Sequence, residues 1–286
     1  MIDRIVILIY LVFSGFRANR ILTKKKKRFG VRDDNLGNIF EGKTVIILGN
    51  GNSLNNHLDR ISENMPENSI TVGISLSTLH PFNADIYYSE FPNQTRIKNN
   101  NKYYLSYSRI REEAINLKCI ENNKLKLFFD HSCLSNVHEQ YSGLELNNLN
   151  STFFYHIPYK FNKNIKQLSI TLKTFYFLKK FGIIKNNILL GNFSLARLME
   201  MALSGKSKKI ILIGCDFGGL PFYNSNRSVL NKINENSEII LEQQNKTIHT
   251  TNDRELNIIT AEDMINVFKK VGRGLGCDVQ HYLGDL

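Results

Sequence analysis

Short apolar runs alternate with longer stretches of helical spacing along most of the chain, which predicts alternating strands and helices. Residues 44–48 form a continuous apolar run, and such runs are typical of strands buried on both faces of a parallel sheet. Six further runs predict strands at residues 70–74, 84–88, 103–107, 124–129, 152–157 and 209–213, and 278–282 is the last. Residues 29–42 have the pattern of a linker.

Helices are predicted where apolar residues recur every three or four positions. This spacing occurs over 164–181 and 194–204, and a glycine follows each stretch. Thr260 to Asp263 has the sequence of a capping box, so a third helix begins there with Met264, Val267, Phe268 and Val271 facing inward. The order predicts an α/β fold: a single Rossmann-like domain over 43–286, with a mainly parallel sheet and helices on both faces. Residues 218–250, after the Asp216 strand, lack periodicity and predict a lid-like insertion.

The formal net charge of +11 is concentrated at the start of the chain. Residues 1–32 hold nine basic side chains and one acidic one, beside an apolar run at 5–13. The run is shorter than the roughly 20 residues of a spanning helix, and no secretory cleavage site follows it. An apolar segment beside a polybasic one is a two-part signal for an anionic membrane surface. We therefore expect residues 1–32 to associate with the membrane; the alternative is a helix docked on its own domain.

The rest of the chain is nearly neutral, and its Lys and Arg are scattered, so no nucleic-acid surface is predicted. Four cysteines without a CxxC pair indicate neither a zinc site nor a disulfide framework, and they fit a reduced cytoplasm.

Four motifs could carry chemistry. The first is a glycine-rich turn directly after the first strand, where glycines let the backbone approach a phosphate or sugar. A dinucleotide fingerprint would need a third glycine where Leu54 stands, and an acid where Ser75 stands, so a nicotinamide dehydrogenase is disfavoured. The turn comprises Gly49, Asn50, Gly51, Asn52 and Ser53.

The second motif is Gly191, Asn192 and Ser194 at the entry to the 194–204 helix, where capping and ligand binding explain the residue types equally well. The third is Asp216 at a strand end. It lies at the ligand-binding edge of an open sheet, or it pins a loop through backbone N–H groups. The fourth is His249, whose side chain suits a general base near neutral pH.

The order of these motifs resembles that of the bacterial CMP-sialic-acid-dependent sialyltransferases of the Campylobacter type (glycosyltransferase family 42-like). Residues 44–54 and 189–253 carry the resemblance. It implies that the first turn, Asn192 and Ser194 contact the cytidine nucleotide and that His249 is the catalytic base. Ser75 stands where the family usually has asparagine, and we count it among the predicted donor-binding residues. Gly218 stands where the family has a tyrosine that steadies the leaving phosphate, and Tyr223 is the nearest substitute.

No Asp-x-Asp occurs in the sequence, so we expect no metal and no other cofactor beyond the CMP-sialic acid donor. The resemblance implies an inverting transfer to a galactose-containing surface glycan such as O-antigen, lipooligosaccharide or capsule, and the membrane-associating N-terminus favours a lipid-linked one. It would take place in the bacterial cytoplasm, peripheral to the inner face of the cytoplasmic membrane. Three alternatives stay open: a transferase for another CMP-sugar such as CMP-Kdo, a pterin pyrophosphokinase-like domain, and a non-catalytic nucleotide-sugar-binding module. An oligomer is possible.

Overall fold

The protein is described from a computed structural model. The described residues are 2–29, 36–63, 65–89, 115, 118, 126–130, 150–156, 164–184, 187–189, 194–217 and 258–282. Their strands are β1 (Thr44–Leu48), β2 (Ser69–Ile74), β3 (Ile86–Ser89), β4 (Lys126–Asp130), β5 (Asn150–His156), β6 (Asn187–Ile188), β7 (Lys209–Ile213) and β8 (Asp278–His281). Their α-helices are α1 (Ile2–Phe29), α2 (Leu36–Phe40), α3 (Ser53–Glu63), α4 (Ile165–Lys180), α5 (Ser194–Ser204) and α6 (Ala261–Gly274). A 3₁₀ helix covers Ser75–Leu79.

All eight strands belong to one parallel sheet, in the order β6-β5-β4-β3-β2-β1-β7-β8. The chain builds outward from β1 to β6 and then returns to add β7 on the other side of β1. Leu48 at the end of β1 therefore pairs with Gly73 of β2 and with Ile213 of β7. This reversal between β1 and β7 is a topological switch point, the place where open α/β sheets bind their ligands.

Side chains alternate between the two faces of the sheet, and both faces are covered by helices. Val45 and Ile47 of β1 belong to the main apolar core, which also contains buried side chains of α1, α2, α4, α5 and α6. Ile46 and Leu48 are equally buried but point to the other face, where α3 buries Leu54. The predicted Rossmann-like α/β fold is thus confirmed, and the predicted lid at 218–250 lies outside the described residues.

Several predicted elements have nearly the observed bounds, among them α4, α5 and β7. The capping box is present: the Thr260 hydroxyl accepts from the backbone N–H of Asp263, whose carboxylate accepts from the N–H of Thr260. Strand β3 begins at Ile86, later than predicted, because Asp85 is bonded to Thr71 instead. The Asp85 carboxylate accepts from the N–H and hydroxyl of Thr71, and the Asp85 N–H donates to that hydroxyl oxygen. The predicted strand at 103–107 lies outside the described part of the chain.

Two elements of the structure, a short helix and a short strand, were not predicted from the sequence. The linker predicted at 29–42 is wrong for residues 36–40, which form α2 and bury Leu36, Ile39 and Phe40. Strand β6 has only two residues and lies at the sheet edge, where length and periodicity give no signal.

Helix α1 is docked on its own domain. It contacts α4, β5 and β6, and its buried side chains Ile7, Leu11 and Ala18 belong to the main core. Gly15 lies against Ile184, at a place where a Cβ atom would come within 2.9 Å of the isoleucine side chain. No helix in the described part of the chain is both long and apolar enough to cross a membrane.

Candidate functional site

Two turns meet where the sheet reverses. The backbone N–H of Gly49, after β1, donates to the carbonyl of Ile213 at 2.7 Å, and that of Gly51 donates to the carbonyl of Gly214 at 2.6 Å. A Cβ atom on Gly49 would lie 2.1 Å from the Gly214 oxygen, so only glycine permits this approach. Gly214 itself has φ of +64°. The glycines of both motifs therefore join two strand ends into one platform.

The carboxylate of Asp216 lies at the first turn of α3. It accepts from the backbone N–H of Ser53 at 2.8 Å and, through its other oxygen, from the Ser53 hydroxyl in a short hydrogen bond. A Cβ atom on Gly51 would be 2.4 Å from an Asp216 oxygen, so this glycine makes room for the carboxylate. Of the two roles that the sequence left open for Asp216, pinning a loop through backbone N–H groups is the one this geometry displays.

This contact changes what the α3 N-terminus is able to bind. A helix N-terminus attracts an anion through its free N–H groups and its dipole. Here Asp216 is that anion, and the N–H groups of Gly49, Gly51 and Ser53 are all bonded within the chain. What the half-buried platform offers a ligand is a carboxylate, a hydrogen-bond acceptor suited to hydroxyl or amino groups.

Asn50 lies between the two glycines and carries an amide oxygen that is buried without a hydrogen-bond donor. Such an atom costs about 1–3 kcal/mol relative to a satisfied one, so a donor from a water or a ligand is expected to compensate for it. Asn52, by contrast, is exposed at the surface of the same turn.

Two other predicted residues lie along the same edge of the sheet. Ser75 begins the 3₁₀ helix directly after β2, the strand beside β1. Ser194 is the first residue of α5, and one turn later Arg197 donates to the Tyr88 hydroxyl at 2.9 Å, near the end of β3. This contact links the first turns of α5 to β3, which is two strands away from β1 in the sheet.

His281 was missed as a site residue because only the fold brings it to the switch point. It ends β8, beside β7, and its Nε2 lies 3.2 Å from the carbonyl oxygen of Cys215. The Phe217 ring packs against it, with ring centroids 5.4 Å apart. Burial lowers the pKa of His281 below its usual value, so the imidazole is neutral near pH 7. Its position at the end of the last predicted strand gave no sequence signal.

A second histidine of this region lies deeper in the protein. His57 of α3 is buried and packs against Tyr282, with ring centroids 6.1 Å apart. Its Nδ1 atom is buried without a hydrogen-bond partner. The Tyr282 hydroxyl donates to the Gln280 side chain at 3.1 Å. His57 thus lies one helical turn after Ser53, on the buried side of α3.

The remaining predicted site residues, Gly191, Asn192, Tyr223 and His249, lie outside the described residues, and their roles stay predictions. Within the described ranges, no group of three or more His, Cys, Asp or Glu side chains could hold a metal ion. The structure therefore brings Gly49–Ser53 together with Asp216 and adds His281 to them.

No family model matches the sequence, and no curated protein matches it. Among solved structures, the chain is similar to the sialyltransferase CstII from Campylobacter jejuni, determined in complex with a substrate analogue, cytidine-5'-monophosphate. The two sequences are 12% identical, the match covers 84% of this chain and 80% of that one, and the TM-score is 0.37. A likeness of this degree carries no conclusion about activity.

Proposed function

We propose that this chain is an inverting glycosyltransferase that moves sialic acid from CMP-sialic acid to a galactose-containing glycan. The observation that carries the proposal is the meeting of two glycine-containing turns at the switch point of the sheet, one with the buried Asn50 amide oxygen and the other with the Asp216 carboxylate. Both turns belong to the motifs that resemble that family. Switch points of doubly wound sheets are where nucleotides bind.

The chemistry of the platform suits the nucleoside half of the donor. Asp216 and Asn50 supply acceptor oxygens, and a cytidine has a base amino group and ribose hydroxyls to donate to them. The phosphate would lie beyond the α3 N-terminus, because Asp216 already fills that anion position. Ser194, Asn192 and Tyr223 are the proposed partners of the phosphate and sugar.

The reaction is a single displacement. An acceptor hydroxyl attacks the anomeric carbon of the sialic acid, the bond from that carbon to the phosphate oxygen breaks, and the configuration inverts. His249 takes the proton of the hydroxyl as the new bond forms, and CMP leaves as a dianion. Hydrogen-bond donors aimed at the phosphate oxygens would stabilise that charge, so no metal is assigned to the mechanism.

The glycan acceptor is proposed to be lipid-linked, which places the enzyme at the inner face of the cytoplasmic membrane. A surface glycan such as O-antigen, lipooligosaccharide or capsule fits this arrangement, since its precursors are built on membrane lipids.

The test is an assay of CMP release with a soluble galactose-terminated acceptor in excess EDTA. CMP-sialic acid, CMP-Kdo and UDP-sugars are compared as donors, and turnover is expected with CMP-sialic acid alone. Faster release from CMP-Kdo would reassign the donor. Tight CMP binding without release from any donor would instead indicate a binding module, and activity restored only by manganese or magnesium would exclude the metal-free mechanism.

The donor site is tested separately by titrating CMP into an Asn50→Ala variant. Its affinity should fall about 5- to 100-fold if the amide bonds the ligand directly. Asn56→Ala is the matched control, because Asn56 is exposed on the adjoining helix. Equal CMP affinity in the wild type and both variants would reduce the turn to a structural role.

A further inference from the structure

The net charge of the protein lies in two helices that touch each other. Helices α1 and α4 are far apart in sequence but pack side by side. Together they contain 12 of the 37 Lys and Arg residues and one of the 26 Asp and Glu residues, Asp3. The rest of the chain therefore has 25 basic and 25 acidic residues, and the two helices account for the whole formal charge of +11.

Helix α1 has a second apolar stripe opposite the one it buries. The buried stripe runs through Ile7, Leu11 and Ala18, and the outward one is offset by half a turn. Phe13 on the outward stripe is 72% exposed and Phe16 is 59% exposed. Along the helix the outward stripe changes from apolar to basic: Ile9, Phe13, Phe16, Arg20 and Lys24.

Helix α4, which packs beside α1, carries exposed residues of the same two kinds. Three exposed lysines recur every seven residues, and an exposed Phe pair accompanies them, with ring centroids 4.8 Å apart. Lys179 belongs to the opposite side, since its ammonium group donates to Ser204 at 2.8 Å. The outward residues are Lys166, Lys173, Phe177 and Lys180, with Phe181 just beyond the helix end. We call the outward residues of α1 and α4 together the basic–apolar face.

We propose that the basic–apolar face is a docking surface for an anionic lipid bilayer. Exposed aromatic and aliphatic side chains would enter the interface between headgroups and acyl chains, and the lysines and arginines would lie among the anionic headgroups. Because α1 buries one stripe in the domain core, it is fixed to the domain and lies along the bilayer surface. The whole domain is thereby held in one orientation.

Charge selects lipid over a second copy of this chain. A symmetric dimer through the basic–apolar face would bring two strongly positive surfaces together, which costs free energy. An anionic bilayer offers the complementary charge and an apolar layer in the same place. The surface is separate from the Asp216 platform, so the inference does not depend on the reaction proposed above.

The absence of tryptophan from the sequence makes a direct test possible. Single reporters are introduced into the full chain as Phe13→Trp on α1, Phe177→Trp on α4 and Ile258→Trp, a 74%-exposed position outside both helices. Vesicles of phosphatidylcholine with phosphatidylglycerol should shift the first two emissions to the blue, and brominated lipids should quench them. The Ile258→Trp emission should not change.

The contribution of charge is measured by vesicle co-sedimentation. Lys166→Gln/Lys173→Gln/Lys180→Gln should lower the partition coefficient on the order of 100-fold, at about fivefold per lysine. The control removes three exposed cations outside both helices, Lys206→Gln/Lys208→Gln/Arg273→Gln, and should bind almost as well as the wild type.

Two results would overturn the proposal. In the first, the α4 triple variant binds anionic vesicles as well as the wild type does, which would mean that the surface does not include α4. In the second, no protein binds vesicles, the wild type is a dimer in sedimentation velocity, and the Phe13→Ser/Phe16→Ser variant is a monomer. That outcome would make the face an interface between copies.

Discussion

Asp216 and Ser53 are 163 positions apart in sequence, yet the carboxylate of the first accepts from both the backbone N–H and the hydroxyl of the second. The contact joins the end of β7 to the start of α3 across the switch point. One residue therefore both closes the fold at this edge and supplies the most polar group of the candidate site.

Asp216→Asn should lower the free energy of unfolding by about 1–3 kcal/mol, because one of its two acceptor oxygens becomes an amide NH2 group, which donates and cannot accept from Ser53. Ser53→Ala should have a smaller effect, since the backbone N–H still has its partner. Urea denaturation measures both. Asp278→Asn is the control, because Asp278 is exposed at the start of β8.

A double-mutant cycle decides whether the two residues act through each other. The combined Ser53→Ala/Asp216→Asn variant should lose less stability than the sum of the single losses, because both remove parts of one contact. Additive losses would contradict a direct energetic coupling.

Gly51→Ala should disturb the same contact from the other side. The added Cβ would lie 2.4 Å from an Asp216 oxygen and 2.7 Å from its Cβ atom, so the whole side chain has to move. We expect a loss of thermal stability and weaker CMP binding in calorimetry. Gly274→Ala is the matched control, because nothing lies within 4 Å of its added Cβ, and it should be neutral or slightly stabilising. Equal behaviour of the two variants would remove the steric argument for Gly51.

Local signals in the sequence predicted the fold well where helices and strands carry them. The continuous apolar run of β7, the spacing of α5 and the capping box at Thr260 each act within a few residues, and each was confirmed. The short helix α2 carries no such signal, because three apolar residues in a stretch of five are as compatible with a linker as with a single helical turn.

The site was less predictable, because its contacts are tertiary. Sequence motifs indicated Gly49–Ser53 and Asp216 separately, but not that Asp216 fills the α3 N-terminus. His281 reaches the switch point only because β8 pairs with β7. The docking of α1 likewise depends on a partner, Ile184, that lies far away in sequence.

The buried polar cluster between α4 and α5 predicts an unusual dependence of stability on alkaline pH. Lys179 donates to Ser204, and Glu200, which is fully buried, accepts from the backbone N–H of Leu189 at 2.6 Å. Burial lowers the pKa of Lys179 to about 8, and the nearby Glu200 offsets part of that effect. The folded lysine therefore loses its proton well before the unfolded one does.

Since the unfolded protein binds more protons between this folded pKa and the usual lysine value, stability should rise as the pH increases through that window. Ionisation of Tyr176, whose pKa burial raises, opposes the rise above about pH 10, where unfolded tyrosines lose their protons. Urea midpoints between about pH 8 and 10 measure the effect. Lys179→Met should flatten the rise, whereas the exposed Lys180→Met should retain it, and a rise unchanged in Lys179→Met would assign it to other groups.

The identity of the catalytic base is the last prediction, and two histidines compete for the role. Resemblance to the sialyltransferases assigns it to His249. The described structure instead brings His281 to the platform, with its Nε2 atom against the Cys215 carbonyl. Because that nitrogen is 3.2 Å from a backbone acceptor, it would carry the proton in the neutral ring and is then unable to take another. His281 is thus better placed to hold the 215–217 turn than to accept a proton.

His249→Ala should therefore lower kcat about 100- to 10,000-fold with CMP affinity nearly intact, and the pH–rate profile should lose its acidic limb. His281→Ala should change CMP affinity and stability instead, because it releases the turn that carries Asp216. Because the pKa of His281 is lowered in the folded state, the unfolded wild type binds more protons below about pH 6.5, and its stability falls there. The stability of His281→Ala should fall less over the same pH range. A His281→Ala variant with wild-type CMP affinity but a collapsed kcat, beside an active His249→Ala variant, would exchange the two roles.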